Sequence, residues 1–419
     1  MHKIIFTSLI AVAPLLLQAQ SGLLNRMTNK MKVKANARLD KKMDKAIDEA
    51  LDDLEGKDQP AKPSQTTVTD PVKSYGKYDF VAGEQVIYSN DFSSDNTGEL
   101  PTGWNSNGTA AVVSLNSIPG KWAQLYQNSS YLTDNKEAFT ESFTVEFDLL
   151  LRRTNPKAPF PLFSWGILSS GNLSSTDNEL LKTPSTTFAT ELKMQPYDNN
   201  GSYLHLETIS EKKSYLKTDN KKYGVLEQFF NKPIHVAVQV QKERLRIWFN
   251  EEKLYDLPKA IVAGTSINQL YFSVKRYGGA DNEVGYFIGN LKIAKGIPDT
   301  RHKLVDDGKF STTGILFGIN SASIKAESNG VLNEIGAVLQ QVPDLKIRII
   351  GHTDSDGNDA ANLELSRKRS LAVKEALVKN FNISAGRIEA DGAGESKPVS
   401  DNNTREGKAN NRRVEFIKL

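Results

Sequence analysis

Two side chains of opposite charge lie fifteen positions apart near the end of the chain, and their types suit the binding of a small charged ligand. Asp354 follows a β-branched run at 346–350 that predicts a strand, and Arg369 lies in a stretch with helical spacing of apolar residues. A carboxylate binds an ammonium group and a guanidinium fork binds a carboxylate, so the pair suits a zwitterion. The same spacing also fits a structural ion pair between Asp354 and Arg369.

The pair belongs to a longer motif. Its residues are Gly351, His352, Thr353, Asp354, Gly357, Asn362, Leu365, Ser366 and Arg369. This pattern resembles the signature of the OmpA C-terminal family of peptidoglycan-binding domains. The resemblance extends over residues 309–419 and includes Phe317-Gly-Ile-Asn320 upstream and Asn411-Arg412-Arg413-Val414-Glu415-Phe416 downstream. It implies an α+β domain that holds peptidoglycan without a covalent bond.

The resemblance also implies roles for single residues. Asp354 would hold the ammonium group of diaminopimelate in a peptidoglycan stem peptide, and Arg369 would hold the neighbouring carboxylate. Arg412 and Arg413 either brace the loop or approach the ligand. The motif positions that supply flanking hydrogen bonds are occupied by Thr353, Asn320 and Asn362.

Composition limits the remaining possibilities. A chain of 419 residues predicts two or three domains, and a net charge of +3 gives no field that favours nucleic acid. The chain has no cysteine, which excludes disulfides, cysteine-bound metals and a lipid-modified cysteine. None of the five histidines has a ligand partner at metal spacing. We therefore expect neither a metal nor a cofactor.

The first part of the chain has the features of an export signal followed by a charged helix and a linker. Residues 1–19 resemble a secretory signal peptide, and a retained membrane anchor is the competing interpretation. Residues 20–56 predict a charged helix whose basic residues precede its acidic ones. Residues 21–56 are either a solvated helix or a surface for self-association or for contact with the acidic envelope surface. Residues 57–77 are rich in Pro, Ser, Thr and Lys, which predicts a linker.

The middle of the chain, residues 78–298, predicts an all-β sandwich or jelly roll. Its short alternating runs are 85–92, 110–115, 143–151, 188–194, 203–209, 234–241, 245–250, 269–274 and 286–294. The stretches Asp91-Phe92-Ser-Ser-Asp and Tyr286-Phe-Ile-Gly289-Asn290 resemble the concanavalin A-like lectin/glucanase superfamily. This resemblance rests on motifs near the two ends of the region and on strand rhythm.

That superfamily includes glycosidases, which need two carboxylates about 5 Å apart when they retain configuration. Glu146 and Asp148 alternate on one strand as the superfamily pattern requires, but Leu150 and Leu151 stand where a third acid is expected. We therefore expect a polar outer face here and no enzyme activity.

Sugar binding without catalysis calls for an exposed aromatic ring. Trp248 alternates out of phase with Ile247 and Phe249, so the pattern predicts that it faces outward as a candidate glycan-binding residue. A contact with another protein is the alternative role for an exposed tryptophan.

The last part of the chain follows a connector at 299–308. Its predicted order is strand 314–317, helix 326–341, strand 346–350, helix 360–379, strand 387–391 and strand 413–418. The whole sequence thus predicts a multidomain, exported envelope protein of the periplasm, associated with the outer membrane and the cell wall. It would bind peptidoglycan and present a sandwich for glycan or protein ligands. A wall-associated glycan hydrolase and a purely structural scaffold are the alternatives.

Overall fold

The computed structural model describes residues 78–135, 137–174, 176–182, 188–276 and 280–419. These residues belong to one compact unit. The predicted signal peptide (1–19), charged helix (20–56), self-association surface (21–56) and linker (57–77) lie outside the described residues.

The described residues form mostly β-structure with few helices. The strands are β1 Gln85–Asn90, β2 Asn105–Ser106, β3 Ala110–Leu115, β4 Ile118–Leu125, β5 Ser129–Leu132, β6 Ser142–Arg153, β7 Phe163–Ser169, β8 Phe188–Gln195, β9 Tyr203–Ser210, β10 Lys213–Lys217, β11 Lys221–Lys222, β12 Pro233–Gln241, β13 Arg244–Phe249, β14 Glu252–Leu257, β15 Gln269–Val274, β16 Val284–Lys295, β17 Lys309–Thr312, β18 Ile347–His352, β19 Ile388–Gly394 and β20 Val414–Lys418. The α-helices are α1 Glu179–Lys182, α2 Thr300–Val305, α3 Asn329–Gln341, α4 Asp359–Phe381 and α5 Arg405–Asn411. Within these residues, no helix combines the length and the apolar character needed to cross a bilayer.

Two eight-stranded antiparallel sheets enclose the largest hydrophobic core. The first sheet has the order β14-β13-β12-β6-β16-β4-β3, with β1 also on β16, and the second has the order β10-β9-β8-β7-β15-β5-β2, with β11 on β9. Alternation explains this packing: Ile234, Val236, Val238 and Val240 of β12 all face the shared core. All nine strand runs predicted in this region are present, whereas the jelly-roll topology stays a prediction.

A third, four-stranded sheet forms the last part of the chain in the order β17-β20-β18-β19. Its β18–β19 pair is parallel and its other pairs are antiparallel, and its core includes residues of α3 and α4, as expected for a small mixed sheet. The predicted strand 314–317 is wrong, because the strand in this sheet is β17, which begins and ends five residues earlier. The Thr312 hydroxyl accepts a hydrogen bond from the Gly314 amide (2.9 Å), which turns the chain out of the sheet. The predicted connector 299–308 contains helix α2.

A short segment before β1, residues 78–83, lies between the first sheet and helix α3. Tyr78, Phe80 and Ala82 pack with Ala237 and Trp248 of the first sheet. On its other side the segment approaches α3 so closely that a Cβ on the helix residue Gly330 would meet the Phe80 carbonyl at 1.8 Å. We call residues 78–83 the cover segment, because they bury the outer surface of the first sheet.

The prediction that Trp248 is exposed is wrong. Its side chain does face away from the main core, as the alternation requires, but it is 0% exposed. The rings of Tyr78 and Phe80 meet it edge-on at centroid distances of 6.5 and 5.4 Å, and its Nε1 donates to Asp79 Oδ1 (3.3 Å). Trp248 is thus a packing residue under the cover segment and offers no platform for a sugar.

We predict that Trp248→Ala lowers the free energy of unfolding by about 3–5 kcal/mol, the usual cost of removing a fully buried aromatic ring. Chemical denaturation measures this loss. The matched control is Tyr215→Ala, because Tyr215 is an aromatic residue of an outer strand with 48% exposure; its effect should stay within about 0.5 kcal/mol. Equal effects of the two changes would contradict the burial of Trp248.

Candidate functional site

The loop between β18 and α4, residues 353–358, holds the predicted ligand-binding aspartate and is called the binding loop below. Strand β18 delivers Thr353 and Asp354 at its carboxyl end. Asn358 ends the loop by capping α4, since its side chain accepts from the amides of Ala360 (3.0 Å) and Ala361 (3.3 Å). A Cβ on Gly351 would lie 2.3 Å from the Ser366 carbonyl, so glycine permits the close approach of β18 to α4.

The carboxylate of Asp354 has two fixed partners. Its Oδ2 lies 2.5 Å from Nη1 of Arg412, and its Oδ1 accepts a hydrogen bond from the Asp356 amide (3.2 Å). Asp354 is buried, whereas Arg412 lies at the surface. The carboxylate is therefore held in one orientation by a charge-assisted bond from a guanidinium and by a backbone amide.

Arg369 is held by one hydrogen bond to a backbone carbonyl and by one contact with an aromatic ring. Its Nε donates to the Ser321 carbonyl (3.0 Å), and its guanidinium carbon lies 4.9 Å from the centre of the Phe317 ring. Within the described residues, its two terminal nitrogens have no hydrogen-bond or ion-pair partner. Burial lowers the pKa of Arg369 and the charge of Asp354 opposes this shift, but a guanidinium stays protonated in either case.

The structure brings Asp354, Arg369 and Arg412 together, with the ion pair formed between Asp354 and Arg412. No salt bridge within 4.0 Å joins Asp354 to Arg369 in the part of the chain that is described. The charge of Asp354 nevertheless acts on Arg369, and so does that of Arg412. The arrangement is one oriented carboxylate beside two guanidinium groups, one of them with free donors. Sequence reasoning left the role of Arg412 open and did not foresee its direct contact with Asp354.

The three residues predicted to supply flanking hydrogen bonds differ in exposure: Thr353 and Asn362 are buried, and Asn320 is exposed. Thr353 donates its amide to the Gly394 carbonyl (3.0 Å), and its hydroxyl is buried without a hydrogen-bond partner. Asn320 is exposed, with φ of 50°, in the loop that carries Ser321. Asn362 is buried and donates to the carbonyls of Asp354 and Asp356 and to a carboxylate. Asn362 therefore braces the binding loop, and the ligand contacts of all three residues stay predictions.

A buried charged group lies beneath the binding loop. Arg413 donates to Glu415 from Nε (3.0 Å) and Nη2 (2.7 Å), and His352 lies 3.6 Å from the same carboxylate. His352 and Arg413 hold the pKa of Glu415 well below its usual range. Arg413 is thus a brace, which is one of the two roles left open for it.

A family model matches the part of the chain that contains the binding loop. Residues 316–412 match the model described as the OmpA family. These residues form an OmpA family domain.

Similar proteins match about a quarter of this chain. Outer membrane porin F of Pseudomonas aeruginosa is 41% identical over 101 residues, which are 24% of this chain and 29% of that protein. The peptidoglycan-binding protein ArfA of Mycobacterium bovis is 35% identical over 103 residues, 25% of this chain and 31% of that protein. The chain thus spans under a third of the length of these relatives.

One solved structure, the Emp47p carbohydrate recognition domain, covers 51% of this chain and 98% of its own, at 13% identity and a TM-score of 0.35. At that TM-score the likeness assigns no fold, and the lectin-like character of residues 78–298 stays a prediction.

The outer surface of the first sheet, next to the OmpA family domain, carries a second cluster of charges. His235 Nδ1 lies 2.9 Å from Asp148 Oδ1, and its Nε2 lies 3.5 Å from Glu146 Oε2. Lys292 Nζ lies 2.8 Å from Glu146 Oε1, and Asn290 donates to Asp148 Oδ2 (2.7 Å). Glu146 and Asp148 are 3% and 9% exposed, so the predicted polar outer face exists but is covered.

The charges in this cluster stabilise one another. Burial raises the pKa of Glu146, but Lys292 and His235 outweigh it and lower the pKa to about 2. Burial lowers the pKa of His235, but Asp148 and Glu146 outweigh it and raise the pKa to about 9. Both carboxylates are ionised and engaged, so neither is placed to donate a proton to a substrate. Among the described residues, no group of three or more His, Asp or Glu side chains is placed to hold a metal ion.

The raised pKa of His235 predicts a pH-dependent stability. Protonated His235 contributes fully below pH 6.5, its ordinary pKa, and the contribution is lost as the pH rises to about 9. The wild type should therefore lose on the order of 2–3 kcal/mol between these limits relative to His235→Gln. Urea denaturation of both proteins at pH 6 and pH 9.5 measures this difference. A wild-type advantage that is the same at both pH values would show that His235 is not charged in the folded protein.

Proposed function

We propose that this chain is a non-enzymatic cell-envelope protein that binds peptidoglycan non-covalently through its OmpA family domain. The single observation that carries the proposal is the oriented carboxylate of Asp354 next to the free terminal donors of Arg369. The match of residues 316–412 to the OmpA family, and a relative named as peptidoglycan-binding, support it. Relatives named as outer membrane proteins support an envelope location, in the periplasm at the outer membrane and wall.

The ligand group we propose is the free end of diaminopimelate in a stem peptide. Its ammonium group meets Asp354, and its carboxylate receives two hydrogen bonds from the terminal nitrogens of Arg369. Stacking on Phe317 and the bond to Ser321 fix the guanidinium before the ligand arrives, which lowers the entropic cost of binding. Thr353, Asn320 and Asn362 supply or brace flanking hydrogen bonds.

We predict that Asp354→Ala and Arg369→Ala each weaken binding of the full chain to purified sacculi by at least tenfold, because each removes a charge-assisted contact. Co-sedimentation with increasing amounts of sacculi measures the affinity, and free meso-diaminopimelate should compete. The controls are Glu389→Ala and Arg348→Ala, which remove an exposed ion pair on the same sheet. Wild-type retention of both site variants would refute the site.

Strands β1–β16 form the two eight-stranded sheets and are called the two-sheet region below. This region has its own candidate site, a groove of about 310 Å³ on the second sheet. Polar side chains line it, with the buried Tyr271 among them: Ser130, Ser273, Glu191 and Lys193. Hydroxyl, carboxylate and ammonium groups in one groove suit a hydroxyl-rich ligand, so we propose a glycan as the occupant of the groove. This groove replaces the buried Trp248 as the glycan candidate. An envelope protein ligand is the alternative.

We predict that a glycan array probed with the full chain gives discrete signals that Glu191→Ala and Lys193→Ala reduce about tenfold, because each change removes a charged hydrogen-bond partner from the groove. Tyr215→Ala, outside the groove lining, is the control. An array without any signal would favour a structural scaffold, and sugar release would favour a hydrolase.

A further inference from the structure

Helix α5 lies between the two-sheet region and the binding loop. One side of the helix contacts β1: the Asn410 side chain accepts from the Val86 amide (2.9 Å) and donates to the Val86 carbonyl (2.9 Å). Ala409 packs with Val86 and Ala294, and Glu406 accepts from the Ser89 amide (3.3 Å). The helix is therefore docked on the first sheet by the side-chain amide of Asn410, which forms the two hydrogen bonds with Val86 that a neighbouring strand would form.

The same helix and the residue after it reach the binding loop. Lys408 Nζ donates to Asp356 Oδ1 (2.6 Å). Arg412, the residue directly after α5, forms the ion pair with Asp354. Two of the charged contacts that orient the binding loop thus come from an element whose position is set by β1.

The two-sheet region also contributes charge near this point. Burial raises the pKa of Asp91, just after β1, but hydrogen bonds from Ser93 and the charge of Arg412 lower it below its usual value. Arg405, at the start of α5, lies 3.6 Å from Asp134 of the two-sheet region. Docking by α5 therefore joins the two parts close to the ligand site.

We propose that Asn410 is a positioning residue for the peptidoglycan site and that the two-sheet region, through α5, sets the affinity of that site. The inference rests on the proposed function of Asp354 and Arg369. The Asn410 amide satisfies both hydrogen-bonding groups of Val86, so its loss leaves them unpaired and frees α5 to shift. A shift of α5 carries Lys408 and Arg412 away from the binding loop, and Asp354 loses its fixed orientation.

The test measures the dissociation constant of the full chain for a diaminopimelate-containing muropeptide by calorimetry. Asn410→Ala should bind about fivefold more weakly, the effect of losing about one net hydrogen bond. The control is Asn403→Ala, an exposed asparagine whose side chain bonds only to Asp401, and it should bind like the wild type. Asn410→Asp keeps the acceptor for Val86 and should fall between the two, which covers the case of an alanine variant that does not fold.

An engineered disulfide distinguishes a positioning role of Asn410 from a local effect of its loss on folding. The chain has no cysteine, so Val86→Cys with Ala409→Cys can form one bridge only, between two residues of a single buried cluster. In the Asn410→Ala background, the oxidised protein should regain the wild-type dissociation constant within twofold and the reduced protein should stay weak. Equal affinities of the oxidised and reduced proteins would overturn the inference.

The outcomes also separate this inference from the proposed function. A wild-type chain that does not bind the muropeptide refutes the proposed function. A wild-type chain that binds and that loses binding with Asp354→Ala, while Asn410→Ala and Asn410→Asp both bind like the wild type, refutes the positioning role alone.

Discussion

The ion pair between Asp354 and Arg412 is the interaction on which the candidate site depends. A buried carboxylate is costly unless charges and donors satisfy it, and here one guanidinium and one backbone amide do so. The second guanidinium, Arg369, is positioned by a carbonyl and an aromatic ring and keeps its terminal donors free. Arg412 thus orients Asp354, and the terminal nitrogens of Arg369 remain available for a ligand.

The same rule governs the outer face of the first sheet, next to the OmpA family domain. Charges on the outer face of the first sheet are buried, and each has a partner of opposite sign: Glu146 with Lys292, Asp148 with His235. Apolar contacts of the cover segment complete the surface around them. Each pair lies within the first sheet, and removing one partner leaves an uncompensated buried charge that destabilises this face.

Sequence patterns allowed accurate inference for most features with a local cause, although the predicted strand 314–317 was an exception. Alternation located nine strands of the two larger sheets and oriented Trp248 and Glu146 away from the main core, and the strand-to-helix spacing located Asp354 near Arg369. Burial of Trp248 was missed because it depends on residues 78–83, which meet the sheet only in the folded chain. The role of Arg412 was ambiguous for a similar reason, since the docking of α5 on β1 places Arg412 against Asp354. Tertiary contacts across hundreds of positions leave no periodic signal.

The most direct measurement is a structure of the full chain bound to a diaminopimelate-containing stem peptide. We expect the ammonium group of the ligand to lie within hydrogen-bond distance of Asp354, about 3 Å, and its carboxylate to bind the terminal nitrogens of Arg369. The contacts of Arg369 with Phe317 and Ser321 should be unchanged. A peptide bound elsewhere on the chain, or one whose charged end points to solvent while Asp354 and Arg369 remain unoccupied, would contradict it.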